Sequence, residues 1–451
     1  MKKIIFKLGA LTLAFAAALP LAACGKEIIY VADKRAGQGG GGGGASPVNP
    51  SGTGTKTSTK TSEDPVVDEP GDYKLKVWCA EEDYEMVYTM LREYESKNPE
   101  STYTWTVEKQ GEDVVSSTVL RDKSAAADVF SFANDQLGIL LNDNALTQIP
   151  SRYEAQIDNQ IDVAKIAASS SGSYYAIPYS YENCFLYYNK SKITDVGSME
   201  NILKASIPGV DYNLGIDMSD SYYTTMFLYT AGVSIFGENG NDPTSVDLDN
   251  EAAYKACRYI ASLGSQKKLG SISKGDQYAS LKNGKVAAMI SGPHMISQFK
   301  DALGANFGVA MLPKVKFQGD STETQLVSFS GVKMYGVTRK GTEVRDQKTT
   351  NEALKVAAYL ANAENQMTRL TEREFCPTDS DLFEEALDSG IDTVKTVVEQ
   401  SEYSKLKPGI IQMSNYWENM KGFLLGVYKL TYAESSWSTE LKKIEKKLLG
   451  Q

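Results

Sequence analysis

Residues 74–79 (KLKVWC) set Leu75, Val77 and Cys79 against polar neighbours, a period of two that predicts a strand. Over 84–94 the apolar positions are Met86, Val87, Met90, Leu91 and Tyr94, which share one face of a helix. Residues 101–108 (STYTWTVE) alternate again, 113–120 read as a second helix, and 127–132 (ADVFSF) as a short buried strand. Two β-α-β units predict a parallel, doubly wound sheet, with ligands beyond the carboxyl ends of its strands at 78–83 and 132–136. Further on, Leu354, Ala357, Ala358 and Ala361 predict one core-facing helix over 351–370. Another spans 441–449, with Lys442, Lys443, Lys446 and Lys447 as its solvated face. Tyr174, Tyr175, Tyr179, Tyr187 and Tyr188 read as strand residues, one or two of them near a cleft.

The N-terminus follows a different pattern. Lys2, Lys3 and Lys7 precede or border an apolar run over 8–19, which ends in Leu21-Ala22-Ala23-Cys24. This reads as a lipoprotein signal over 1–23, cleaved before Cys24, whose acylation anchors the mature chain at the outer face of a membrane. Residues 24–71 hold a glycine run (Gly39 to Gly44), Pro47, Pro50 and a Ser/Thr/Lys stretch, too polar to bury a core. They are expected to form a disordered leash with a reach of roughly 40 Å.

The remaining chain, about 380 residues, exceeds what one core supports, so two domains are expected. No second apolar stretch approaches the ~18–20 residues of a spanning helix. The formal charge of −10 becomes −13 when the three signal lysines leave. That argues against nucleic acid or anionic lipid as partner and favours a neutral ligand. Cys79, Cys184, Cys257 and Cys376 lack metal-ligand spacing and read as buried free thiols. A single histidine, His294, removes most serine, cysteine and zinc catalytic arrangements and leaves only carboxylate chemistry open.

Residues 127–150, 172–190 (GSYYAIPYSYENCFLYYNK), 283–313 and 409–417 (GIIQMSNYW) resemble, in order, four blocks of the family 1 extracellular solute-binding proteins, closest to their maltose and maltodextrin-binding branch. The resemblance implies an α/β, two-lobe, periplasmic-binding-protein-like (type II) fold whose doubly wound sheets are joined by a three-segment hinge. The first lobe would be 72–181 plus 331–380, the second 182–330 plus 381–451. It implies a monomer without cofactor or metal that closes on an oligosaccharide and docks on the permease subunits of an ATP-binding-cassette importer.

Sugar recognition needs acceptors around the ring edge and aromatic plates on its faces. The resemblance assigns Glu82, Asp135, Glu182 and Asp220 as acidic ligands, and Phe132, Tyr222 and Trp417 as plates. His294 stands where the maltose branch has tryptophan, and reads equally as a ligand or a hydrogen-bonded turn residue. Asp83 and Gln136 occupy positions where that branch carries basic donors, so both first-lobe donors are missing. Without the resemblance these aromatics would read as core and these acids as solvated surface. Two alternatives stay open: the same fold with a different sugar, and a surface glycoside hydrolase using a pair such as Asp135 and Glu182.

Overall fold

Strand Asp72–Cys79 lies parallel to Thr102–Lys109 through eight rungs, from Asp72 opposite Thr102 to Cys79 opposite Lys109, and parallel to Val129–Ala133 on its other edge. This is a computed structural model, and it describes residues 69–451; the signal, Cys24 and the leash as far as residue 68 lie outside the described residues. The two crossovers are the helices Tyr84–Lys97 and Val115–Arg121. The first buries Met86, Val87, Met90, Leu91 and Tyr94, the face that the spacing predicts.

The sheet is mixed rather than parallel. Strand Ser328–Val337, buried along all ten residues, runs antiparallel to Val129–Ala133. It also pairs antiparallel with Ile177–Asn183 and parallel with Ser404–Leu406. A second mixed sheet has the order Phe307–Ala310, Phe185–Asn189, Val286–Ser291, Tyr212–Ile216, Leu269–Ser271. Only Cys184 separates Ile177–Asn183 of the first sheet from Phe185–Asn189 of the second. The chain returns through Ser328–Val337, and leaves again after Ser404–Leu406 for helix Met413–Tyr428, whose Met420, Leu424 and Val427 lie in the second core. The architecture is the two-lobe α/β periplasmic-binding-protein fold.

The first core gathers Leu75, Val77, Leu91, Val129 and Tyr335, and the second Leu214, Phe227, Ile260, Ile290 and Leu424. A third cluster runs from one sheet to the other, joining Trp78, Phe132 and Val332 to Phe185, Tyr187 and Met289. Burial of this kind contributes about 25 cal/mol per Å² and makes the crossing region part of the packed interior.

The single helix expected over 351–370 is two, Gln347–Leu360 and Ala363–Arg373. Asn362 breaks it, because its side-chain oxygen accepts from the Asn365 amide at 2.8 Å and caps the second helix. The C-terminal helix begins earlier than its pattern suggests, at Glu434, and keeps its lysines outward as expected. All four cysteines among the described residues are free and buried. Among those residues no helix is long and apolar enough to cross a membrane.

Candidate functional site

Beyond the carboxyl ends of the first sheet lies a line of alternating charges, buried except for the partly exposed Glu182 and Arg373. Asp83, in the turn after the first strand, pairs with Arg373 at 2.8 Å. Burial pushes its carboxyl above the usual range, against the pull of Lys333 and Arg373. Lys333, in the middle of the Ser328–Val337 strand, lies 2.6 Å from Glu112 and 3.8 Å from Glu182. Burial alone would raise the Glu112 carboxyl, but Lys333, Tyr179 and Ser131 together hold it below its ordinary value. Asp135, in the turn after Val129–Ala133, faces Lys407 at 3.2 Å. Burial would lower the Lys407 ammonium, yet Asp135 and Glu182 outweigh it and keep it charged.

The second lobe presents aromatics to this line. Helix Ser221–Ala231 starts at Asp220, whose carboxylate accepts from the Tyr222 amide at 2.8 Å. Tyr222 stacks on Phe329, with centroids 6.0 Å apart and planes 15° from parallel, and the Lys407 ammonium lies 5.8 Å from its ring. Trp417 meets Phe329 from the other direction at 5.5 Å and is braced edge-on by Tyr416 at 5.6 Å. The helix starts are tied together: Ser221 Oγ donates to the Trp417 carbonyl at 2.9 Å, and Thr225 and Tyr416 share a hydroxyl contact of 2.7 Å. Tyr222 and Trp417 are both half-buried.

The structure thus brings Asp135, Glu182, Tyr222 and Trp417 to one region. Glu82 is exposed at its rim, its backbone carbonyl held by Arg373. Asp220 has one carboxylate oxygen committed to the helix cap, with burial raising its pKa. Phe132 is placed otherwise than as a plate: it is fully buried, 5.5 Å from Phe130, and packs over Gly336. In a strand buried on both faces the residue two before the turn points into the core.

His294 sits in the turn after Val286–Ser291, where Tyr187 donates to the Gly292 carbonyl at 2.8 Å. Its Nε2 is buried without a hydrogen-bond partner among the described residues. Burial, with Lys274 and Lys333 adding to it, pushes the imidazole down to about 3, so it is neutral near pH 7. A separate polar cavity of about 710 Å³, lined by Tyr188, Lys190, Asn201, Glu323 and Lys395, shares none of these residues.

Residues 89–388, well over half of the chain, match the family described as bacterial extracellular solute-binding protein. The chain belongs to that family. Among relatives of this solute-binding protein is the galactooligosaccharide-binding protein of Bacillus subtilis, 25% identical over 304 residues that cover 64% of this chain and 69% of the relative. The maltooligosaccharide ABC transporter solute-binding lipoprotein of Streptococcus pneumoniae is 25% identical over 314 residues, covering 66% and 70%. In structure it is similar to the maltodextrin binding protein MalE1 from L. casei BL23, solved without ligand, with a TM-score of 0.72, 25% identity and coverage of 83% and 98%. MalX from Streptococcus pneumoniae, solved with maltopentaose, shares the fold at a TM-score of 0.70, 22% identity and coverage of 83% and 99%. Membership makes this an extracellular binding protein, and the hydrolase alternative is withdrawn.

Four charged residues of the solute-binding protein's candidate site are not legible in the sequence: Glu112, Lys333, Arg373 and Lys407. Lys333 carried a signal, as one lysine in an otherwise apolar run (FSGVKMYGV), and such a lysine is buried only beside carboxylates. Lys407 lies two residues before the 409–417 block, and nothing in its spacing sets it apart.

Proposed function

We propose that this solute-binding protein is a lipoprotein, anchored through Cys24, which captures an α-linked gluco-oligosaccharide and delivers it to the permease subunits of an ATP-binding-cassette importer. Its lobes are 72–181 plus 331–380 and 182–330 plus 381–451, with the leash between anchor and first lobe. The observation that carries the reading is the half-buried pair Tyr222 and Trp417, braced on Phe329, beside the buried carboxylate of Asp135 and the partly buried one of Glu182. The aromatics offer plates for the apolar faces of a pyranose, and each carboxylate accepts hydroxyl protons in charge-assisted bonds. Glu82, Asp220 and His294 contribute at the edges, and Phe132 supports the floor from behind. Relatives named for maltooligosaccharide and maltodextrin support the choice of sugar. A galacto-oligosaccharide is the second reading, supported by the relative named for it.

Calorimetric titration of residues 72–451 with maltotetraose and with a galacto-oligosaccharide tests both. Saturable binding near 1 μM, about −8 kcal/mol, is expected with maltotetraose, as suits a carrier that must also release its cargo. Trp417→Ala should weaken it about tenfold or more through loss of one stacking face. Heat from the galacto-oligosaccharide alone would select the second reading, and silence with both at millimolar concentration would overturn the sugar assignment.

A further inference from the structure

A ligand hydroxyl is both donor and acceptor, whereas an ionised carboxylate only accepts. A site built of carboxylates alone would bury hydroxyl lone pairs without a partner, which costs about 1–3 kcal/mol for each group left unpaired. The cleft therefore needs a donor, and the positions where the maltose branch carries basic donors hold Asp83 and Gln136.

Lys407 has the geometry of that donor. Asn134, itself fully buried, fixes its backbone: the Asn134 amide nitrogen donates to the Lys407 carbonyl at 2.7 Å, and its oxygen accepts from the Val332 amide at 3.1 Å. The ammonium lies 3.2 Å from Asp135 Oδ1, yet that buried oxygen has no hydrogen-bond partner among the described residues. An ammonium carries three N–H donors and a carboxylate oxygen two lone pairs, so the pair leaves both groups with hydrogen-bonding capacity. On the other side is Gly331, opposite Glu182 in the strand register. A Cβ there would stand 3.0 Å from the Lys407 ammonium and 3.4 Å from Glu182 Oε1, so the absent side chain lets the two groups share one space. The Tyr222 ring borders the same space.

We propose that Lys407 is a ligand-contacting, specificity-determining residue, which donates to oligosaccharide hydroxyls whose own protons go to Asp135 and Glu182. The inference rests on the oligosaccharide reading and sharpens it to a neutral sugar with vicinal hydroxyls spanning the two carboxylates. Gly331 is the residue whose smallness makes room for the Lys407 side chain beside Glu182.

The test is a double-mutant cycle by calorimetry with maltotetraose and a galacto-oligosaccharide, on wild type, Lys407→Met, Lys407→Arg, Asp135→Asn and Asp135→Asn/Lys407→Met. Lys407→Met should weaken binding about tenfold, the loss of one charge-assisted hydrogen bond, with Lys407→Arg within about threefold of wild type. In the Asp135→Asn background the Lys407→Met change should still cost about threefold or more, which a lysine that merely holds Asp135 would not. Disappearance of the cost in that background, or unchanged affinity in the single variant, overturns the inference and leaves the oligosaccharide reading intact. Silence of the wild type with both sugars overturns the two together. Should Lys407→Met not fold, Lys407→Leu, which likewise has no donor, replaces it, and an affinity equal to wild type overturns the inference.

Discussion

At the scale of single residues, His294 yields a prediction with a definite sign. Its folded value of about 3 lies below the ordinary 6.5 because burial, then Lys274 and Lys333, disfavour the imidazolium. As pH falls below 6.5 the unfolded chain takes up a proton that the folded chain refuses, so the contribution to stability is full above 6.5 and shrinks down to about 3. Between pH 7 and pH 5, above the range where most carboxylates titrate, the wild type should lose about 1–2 kcal/mol more than His294→Gln. Urea denaturation at the two pH values measures this, and parallel losses in both proteins would contradict it. Glu112 acts in the same direction at lower pH. Its depressed carboxyl adds stability above the unfolded value, and this is lost as pH falls through the folded one.

At the scale of elements, the placement of Lys407 and Trp417 depends on how closely the 137–142 helix meets the segment between them. A Cβ on Gly138 would lie 2.4 Å from the carbonyl carbon of Ile410 and the amide nitrogen of Ile411, backbone atoms that cannot swing aside. Gly138→Ala should therefore lower stability by about 1–3 kcal/mol and weaken ligand binding, because the displaced segment carries both site residues. Gly422, in the same 413–428 helix as Trp417 and open on all sides, is the control. Gly422→Ala should leave binding unchanged and raise stability by up to ~1 kcal/mol through helix propensity. Chemical denaturation and calorimetry of the pair decide the matter. These elements also show what periodicity reveals and where it stops. The opening β-α-β-α-β run was legible because Leu75, Val77, Met86, Val87, Met90 and Leu91 obey one period each. The break at Asn362 was not, since the apolar spacing continues through it and only a local cap interrupts it. Trp417 and Tyr222 were found through the resemblance rather than through period. Lys333, Arg373 and Lys407 were not found, because their meaning comes from carboxylates distant in sequence.

At the scale of the whole molecule, the chain passes between its two sheets through Cys184, through the Ser328–Val337 strand and through the segment after Ser404–Leu406. Neither sheet is drawn from a continuous stretch of chain, so a closure of the proposed kind would turn packed bodies about strands that belong to both. The thiols lie within the packed cores: Cys79, Cys184, Cys257 and Cys376 are all buried, and burial pushes Cys79, Cys184 and Cys257 up to about 12. An aromatic disulfide reagent should modify none of these four within minutes in the native protein and all four in denaturant, and rapid native labelling would show that the core around the labelled thiol opens locally. Assembly of such a protein needs no oxidant and no thiol-shuffling catalyst. Its survival beyond the membrane is therefore indifferent to whether the surroundings are aerated or anoxic, and is timed by how often the interior opens.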